Sequence, residues 1–220
     1  MSARVIAIDG PAGSGKSTVG RGVAVALGLH TLDTGAMYRA ATLAAMAAGV
    51  ALDDEAAVVA AATAAEIELI DGAILLDGRD VADEIRGPEV TASVSTVASH
   101  PAVRAVMLVR QRAWVEEHDG GVVEGRDIGT VVLPDAPVKV FLTAPDHVRA
   151  QRRQVDEAAA ERTVDVASVQ AAIDQRDRAD AGLGRALRPE DAADDALVID
   201  TSALTADEVI AAIVEQARAI

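Results

Sequence analysis

The 220-residue sequence is poor in several residue types, and each shortage excludes a kind of chemistry. Cysteine is absent, so the chain can form no disulfide, no thiolate metal site and no cysteine nucleophile. Aromatic residues make up 1% of the chain, which nearly excludes base stacking as a way to bind nucleic acid. They are Tyr38, Trp114 and Phe141. Asparagine is also absent, so the ordinary N-K-x-D guanine motif of GTPases cannot occur.

Positive charge is scarce as well. There are 20 lysines and arginines against 35 aspartates and glutamates, which gives a formal net charge of −15. A surface of this sign disfavours nucleic acid as a partner. Lysine occurs only at Lys16 and Lys139, so almost every cation is an arginine, whose planar fork suits phosphate groups.

Long apolar runs are missing too. No run approaches the ~18 residues that a membrane-spanning helix needs. The first predicted strand begins at Val5, which leaves no room for a signal peptide. Half of the residues are hydrophobic, so a substantial core can form, either as one domain or as one core with insertions. We therefore expect a cytoplasmic protein with no membrane partner.

The most informative stretch is a glycine-rich segment that follows the apolar run 5–8. Gly10, Gly15, Lys16 and Ser17 have the G-x-x-x-x-G-K-[ST] spacing of a phosphate-binding loop. Glycines let successive backbone N–H groups point at one anion, and the following helix adds its positive end. The loop is predicted to bind a nucleoside triphosphate, with the lysine at the β- and γ-phosphates and the serine hydroxyl at Mg²⁺. The predicted binding residues are Gly10, Pro11, Ala12, Gly13, Ser14, Gly15, Lys16, Ser17 and Thr18.

The pattern after this loop predicts a parallel α/β fold. A helix over 17–27 stops at Gly28, and a short strand follows at 30–32, so strand, loop, helix and strand form a βαβ unit. Asp53 is predicted to cap a later helix. Further strands are predicted over 120–124, 138–142 and 196–200, and further helices over 35–48, 54–65, 89–99, 101–117, 146–161, 166–179 and 205–218.

Residues 66–90 depart from this pattern. Two short apolar runs flank Asp71-Gly72, which is a hairpin signal, and residues 77–81 suggest a further turn and strand. We interpret the region as an insertion with a small β-sheet, outside the parallel sheet.

Two polar motifs stand where strands of the parallel sheet are predicted to end. Residues 33–39 follow the second strand, and residues 125–130 follow the third. Because ligands bind outside the carboxyl ends of such strands, both loops are expected at the crevice that holds Lys16. Arg39 and Arg126 are then cations directed at a second, anionic substrate.

A phosphate-binding loop alone does not distinguish kinases, GTPases, ATPases and transporters. ATP-driven motors usually have a second acidic strand motif and a larger core. Glu124, at a predicted strand end, is the nearest candidate for a carboxylate that acts on Mg²⁺ indirectly, by binding one of the ligands of the ion. A solvated strand-end acid is the alternative interpretation.

Several segments resemble bacterial cytidylate kinases, in order across almost the whole chain. The phosphate loop is generic, but Asp-Thr-Gly-Ala-Met-Tyr-Arg together with Gly-Arg-Asp-Ile-Gly-Thr is highly specific. The similar segments are residues 8–18, 32–39, 124–132 and 134–139, with further matches at 77–81, Ile85-Arg86 and 110–112.

The resemblance implies transfer of the γ-phosphate of ATP to CMP or dCMP. Together with the Mg²⁺ predicted at the phosphate loop, this leads us to expect an ATP- and Mg²⁺-dependent enzyme that works as a monomer. The resemblance implies an α/β fold: a P-loop kinase core with a parallel five-stranded sheet, an acceptor-binding insertion with a small antiparallel sheet, and a helical lid. The implied parts are a core of residues 1–35, 104–148 and 189–220, a nucleoside monophosphate region of 36–103 with the β insertion at 66–90, and a lid of 149–188.

The resemblance also implies roles for individual residues. Thr34, Arg104 and Asp127 should read the cytosine edge, since an acid can accept the exocyclic amine where uracil presents a carbonyl. Arg39 and Arg126 should hold the acceptor phosphate.

The lid motif departs from the family pattern Arg-Asp-x-x-Asp-Ser-x-Arg. It begins at Arg176, and Asp180 should bond the ribose hydroxyls. Ala181 replaces the serine and Leu183 the final arginine, which Arg185 restores if two residues are inserted. The expected catalytic set is Lys16, Arg126, Arg176 and Arg185, with Arg153 as an alternative to Arg185.

Two other functions remain open on the sequence. One is a P-loop kinase for another small acceptor, such as UMP or a metabolite alcohol. The other is a nucleotide-binding regulatory switch without an acceptor, against which the two strand-end arginines argue.

Overall fold

The computed structural model describes residues 4–70, 73–159 and 166–220. Its strands are β1 (Val5–Asp9), β2 (Thr31–Asp33), β3 (Ile67–Ile70), β4 (Ala73–Leu76), β5 (Arg79–Asp80), β6 (Gly121–Gly125), β7 (Val138–Thr143) and β8 (Leu197–Asp200). Its helices are α1 (Lys16–Leu27), α2 (Thr34–Ala47), α3 (Glu55–Ala64), α4 (Pro88–Ser99), α5 (Pro101–Glu117), α6 (Asp146–Ala159), α7 (Val166–Gly182) and α8 (Ala206–Arg218). Glu84–Arg86 and Pro189–Asp191 form single 3₁₀ turns, and Ile128–Val132 forms a π-helical turn.

Two sheets organise these elements. The larger is a parallel five-stranded sheet with the order β2-β6-β1-β7-β8, which confirms the predicted core. Strands β1 and β6 are buried along their whole length, as near-continuous apolar runs in a covered parallel sheet should be. The smaller sheet is antiparallel with the order β3-β4-β5, and this confirms the predicted insertion sheet.

The chain forms two compact units, residues 1–29 with 122–220 (the first unit) and residues 30–121 (the second unit). In the first unit, Ile6, Ile8 and Leu142 of the central strands pack with Val23 of α1 and Ile213 of α8, all of them completely buried. The predicted division into core, acceptor region and lid remains a prediction.

The second unit contains α2 to α5 and the small sheet. Its only tryptophan, Trp114, is 8% exposed, and its indole N–H donates to the Leu69 carbonyl at 3.4 Å. The His118 ring stacks on the indole with 4.2 Å between ring centroids. A Cβ at Gly121 would lie 2.7 Å from the indole ring, so the bulky side chain requires a glycine there.

Local boundaries differ from the predictions at a few places. The predicted cap Asp53 is wrong: Asp54 caps α3 and its side chain accepts from Ala57 N at 3.1 Å. Helix α7 continues three residues beyond the predicted end at residue 179, as far as Gly182. The hairpin turn at 71–72 and the end of the predicted helix at 160–161 lie outside the described residues. Over the described ranges, no helix combines the length and apolar character required to cross a membrane.

Candidate active site

The phosphate loop, residues 10–18, begins where β1 ends. Gly10, Gly13 and Gly15 have φ angles of 145°, 77° and 96°, in the left-handed region that favours glycine. A Cβ at Gly10 would lie 2.1 Å from the Leu142 carbonyl oxygen, so the backbone could not take this path with a side chain. Gly15 is the N-cap of α1 and has no side chain to cover the first N–H groups of the helix. The loop therefore presents backbone donors to an anion.

Lys16 lies within this loop and is only 7% exposed. Its ammonium donates to the Pro11 carbonyl at 2.7 Å and to Ser14 Oγ at 3.5 Å. The loop's own oxygens thus hold the cation across the loop. This arrangement concentrates positive charge where the backbone donors converge.

Ser17 and Glu124 form the part of the site suited to a metal ion. Ser17 Oγ donates to Glu124 Oε2 at 2.9 Å, and Glu124, in β6, is 7% exposed. A hydroxyl and a carboxylate are the oxygen groups that Mg²⁺ prefers. Among the described residues no group of three or more His, Cys, Asp or Glu side chains is arranged to hold a metal. These residues fit an ion that takes its other ligands from phosphate and water.

Asp9, the last residue of β1, joins the phosphate loop to the loop that follows β6. Its carboxylate accepts from Ile128 N at 2.8 Å and from Gly129 N at 2.7 Å, and the residue is 6% exposed. Burial raises the pKa of Asp9 to about 6; the two N–H bonds and the Lys16 charge oppose this shift, and the Asp127 charge adds to it. Sequence reasoning missed Asp9. The available signal was an acid ending an apolar strand, because a buried carboxylate must find donors.

The raised pKa of Asp9 predicts a pH-dependent stability. The folded chain holds a proton on Asp9 more tightly than the unfolded chain, whose carboxyl has an ordinary pKa of 3.8. The resulting stabilisation is fully present below about pH 4 and is lost as pH rises through about 6. Urea unfolding of wild type and of Asp9→Asn at pH 7 and at pH 5 tests this prediction. The free energy of unfolding of wild type, taken relative to that of Asp9→Asn, should rise by about 1 kcal/mol from pH 7 to pH 5. A pH-independent difference would contradict the prediction.

Arg126, Asp180 and Arg185 form a buried cluster in the first unit. Arg126 Nε donates to Asp180 Oδ2 at 3.2 Å, and Arg185 donates to Asp180 Oδ1. Their side chains are 12%, 4% and 9% exposed for Arg126, Asp180 and Arg185. Ala186 N also donates to the Arg126 carbonyl at 3.2 Å, so the segment after α7 is attached to the 125–130 loop. The structure thus brings three predicted site residues together, whereas the side chain of Arg176 lies outside the described residues.

Arg149, at the start of the predicted lid, contacts the phosphate loop directly. One guanidinium nitrogen donates to the Ala12 carbonyl at 2.9 Å; the other lies 2.7 Å from Asp146 Oδ1 and 2.8 Å from Asp177 Oδ2. Burial raises the pKa of Asp177, and the Arg149 charge opposes the shift. Helices α6 and α7 are therefore tied to each other and to the loop through one arginine, a contact that sequence reasoning did not anticipate.

A second arginine of α6 is linked to the loop through Thr201. Arg152 donates to Thr201 Oγ1 at 2.8 Å and to the Thr201 carbonyl at 2.7 Å. Thr201 Oγ1 in turn donates to the Ser14 carbonyl at 3.3 Å. The segment after β8 thus supports the phosphate loop through one hydrogen bond to its backbone.

The other residues predicted to bind the acceptor nucleotide, Thr34, Arg39 and Arg104, lie in the second unit. Thr34 is the first residue of α2 and is 5% exposed; Arg39, five residues later, is 8% exposed. Arg39 donates to the Ile85 carbonyl at 2.9 Å and to Thr91 Oγ1 at 2.8 Å, which fixes its guanidinium. Arg104 is half-buried in the first turns of α5. Arg126 and Asp127, by contrast, belong to the first unit.

Comparisons with known proteins identify the family of the chain. A family model described as cytidylate kinase matches residues 6–219. The cytidylate kinase of Corynebacterium efficiens is 48% identical over 219 residues, covering 98% of this chain and 94% of that protein. The cytidylate kinase of Mycobacterium avium is 50% identical over 210 residues, covering 94% and 91%. A shikimate kinase from Acinetobacter baumannii, solved in complex with shikimate, shares the fold with a TM-score of 0.50, 17% identity, and coverage of 98% and 93%.

Proposed function

We propose that this chain, which belongs to the cytidylate kinase family, transfers the γ-phosphate of ATP to CMP or dCMP and releases ADP with CDP or dCDP. The observation that carries the proposal is the pair of hydrogen bonds from Ile128 and Gly129 to Asp9. They attach the loop with Arg126 and Asp127 to the strand that leads into the phosphate loop. A kinase needs such a connection, because donor and acceptor must be held in line within one site.

We assign the donor phosphates to the phosphate loop. The backbone N–H groups of residues 10–18 and the Lys16 ammonium neutralise the β- and γ-phosphates in this proposal. The burial of Lys16 and its bonds to Pro11 and Ser14 support the assignment, because they keep the cation at the loop.

We assign Mg²⁺ to the Ser17 hydroxyl, with Glu124 acting through that hydroxyl. When bound, the ion neutralises charge on the phosphate oxygens. Glu124 Oε2 accepts a hydrogen bond from the Ser17 hydroxyl at 2.9 Å, and this orients a serine lone pair away from Glu124. The carboxylate therefore positions the serine without having to contact the ion.

The acceptor nucleotide is assigned to the residues that the sequence resemblance implies. Thr34, Arg104 and Asp127 recognise cytosine in this proposal, and Arg39 and Arg126 hold the CMP phosphate. The fixed guanidinium of Arg39 supports this role, since a pre-positioned fork loses less entropy when it binds phosphate.

The arginines supply the charge that phosphoryl transfer requires. The transition state is stabilised mainly by positioning and by cations around the transferred group. Asp180 holds Arg126 and Arg185 on its two oxygens, so two guanidiniums stay adjacent despite their repulsion. We propose that Arg185 replaces the final lid arginine of the family, that Arg176 joins it from α7, and that Asp180 bonds the ribose. Closure of the lid, residues 149–188, would exclude the water that could otherwise hydrolyse ATP.

An acceptor panel tests the proposed function. Purified protein with ATP and Mg²⁺ should release ADP rapidly with CMP or dCMP and far more slowly with UMP, because Asp127 accepts from an amine that uracil lacks. AMP completes the panel as a purine acceptor. A coupled assay of ADP release gives kcat/KM for each acceptor. Preference for UMP would indicate a kinase for another acceptor, and ATP binding without acceptor-dependent turnover would indicate a regulatory switch.

We propose in addition that the enzyme works as a monomer in the cytoplasm, as expected from the sequence. The parts implied by that resemblance, with a core, an acceptor region at 36–103 and a lid at 149–188, belong to the same proposal. Sedimentation analysis of the purified protein, with and without both nucleotides, tests the monomer.

A further inference from the structure

Asp9 contacts two loops that have different roles in the proposed reaction, the phosphate loop and the 125–130 loop. It directly precedes Gly10, the first residue of the phosphate loop. Its two carboxylate oxygens accept from the consecutive N–H groups of Ile128 and Gly129, at 2.8 and 2.7 Å. These groups come immediately after Arg126 and Asp127. A single buried side chain thus connects the donor loop to the residues assigned to the acceptor.

The bonds also meet a local need of the 128–132 turn. Within this π-helical turn, Val132 N donates to the Asp127 carbonyl and Leu133 N to the Ile128 carbonyl. The first N–H groups of a helical turn have no carbonyl partner inside it, so a buried turn must satisfy them from outside. Asp9 supplies both acceptors, and its charge makes each bond stronger than a neutral one.

The turn also packs against a second side chain, Lys139 of β7. A Cβ placed at Gly129 would lie 3.3 Å from Lys139 Cδ and 3.4 Å from Asp9 Oδ2, so there is little spare room. Lys139 is itself held by both carboxylate oxygens of Asp195, each at 2.9 Å. The turn therefore packs closely against side chains of both β1 and β7.

We propose that Asp9 is a positioning residue for the acceptor: it sets the place of Arg126 and Asp127 relative to the phosphate loop, and so controls CMP binding without touching CMP. The inference rests on the proposed function and deepens it. The groups that face Asp9 are Lys16 from α1 and Asp127 from the 125–130 loop, both charged. Neither replaces the two hydrogen bonds that Asp9 accepts from the turn.

Asp9→Asn is the first test. The amide keeps the shape of the side chain but directs an NH₂ group at one of the two N–H donors. We expect KM for CMP to rise by about 10-fold, the effect of losing one buried hydrogen bond, while kcat falls less. The Kd for ATP, measured by calorimetry without acceptor, should stay within about twofold of wild type. The thermal midpoint is measured alongside, because a general loss of structure would weaken ATP and CMP together.

Gly129→Ala is the second test and leaves the Asp9 carboxylate intact. The added methyl group displaces the turn by a few tenths of an ångström against Lys139 and Asp9, so KM for CMP should rise again, with ATP binding unchanged. Asp200→Asn is the matched control. Asp200 also ends a strand of the same sheet, but its carboxylate accepts from Ser202 at the exposed end of β8. This variant should leave KM for CMP unchanged.

The possible outcomes distinguish failure of the positioning role from failure of the proposed function. If wild type phosphorylates CMP but both Asp9→Asn and Gly129→Ala retain its KM for CMP, the positioning role is wrong. Equal losses of ATP and CMP affinity would also overturn it, because they indicate a structural role shared by both loops. If wild type fails to phosphorylate CMP, the proposed function fails, and the inference fails with it.

Discussion

Arg126→Ala is expected to lower kcat/KM for CMP by ~10³-fold or more, within the range that a transition-state arginine supplies in phosphoryl transfer. The guanidinium is 12% exposed and is held by Asp180, so it is already positioned before substrate arrives. In the proposed site, its removal leaves the acceptor phosphate without that clamp. ADP release measured over a range of CMP concentrations gives the loss.

Two further variants define what Arg126 contributes. Arg126→Lys keeps the charge but loses the fork, so it should recover only part of the activity. Arg188→Ala removes an arginine that is 77% exposed and lies 3.9 Å from Glu190, and it should leave kcat/KM unchanged. An Arg126→Ala enzyme within twofold of wild type would show that this residue is not the acceptor clamp.

Asp127→Ala is expected to lower kcat/KM for CMP by ~100-fold while ATP binding stays near wild type, because a base contact rather than a phosphate contact is lost. The residue lies half-buried just before the π-helical turn that Asp9 anchors. Steady-state kinetics with CMP and calorimetry with ATP give the two quantities. Equal loss of both would remove Asp127 from base recognition.

Asp127→Asn sharpens the test of base recognition. An amide can donate to the carbonyl of uracil, so the ratio of kcat/KM for CMP to that for UMP should fall more than in Asp127→Ala. Asp135→Ala, at an exposed aspartate farther along the same connection, is the matched control and should not alter this ratio. A CMP to UMP ratio that is unchanged in both Asp127 variants would place cytosine recognition elsewhere.

The parts of the fold that sequence reasoning predicted well depend on local patterns. Gly10, Gly15 and Lys16 mark the phosphate loop because their spacing is itself the structural requirement. The strands and helices follow from apolar periodicity and from caps, and most boundaries were predicted to within one or two residues. Adjacent aspartates such as Asp53 and Asp54 give the same signal, so the capping residue was misidentified.

Contacts between distant parts of the chain could not be predicted in this way. Asp9 meets its partners 119 and 120 residues away, and no local pattern identifies them. Helix α7 extends past residue 179 because Asp180 is held by Arg126 and Arg185, and such tertiary contacts override local preference. For the candidate site, residue types and order suggested the roles of Thr34 and Arg104, which remain predictions.

The placement of Trp114 has a spectroscopic consequence. The only tryptophan and the only tyrosine, Tyr38, both belong to the second unit, whereas the first unit has Phe141 as its sole aromatic residue. Intrinsic fluorescence excited at the indole band therefore reports on the second unit alone, while circular dichroism reports on helices of both. If the fluorescence and circular dichroism transitions have different urea midpoints, the two units unfold separately. A tryptophan engineered into α6 would give the otherwise silent phosphate-loop unit a fluorescence signal of its own.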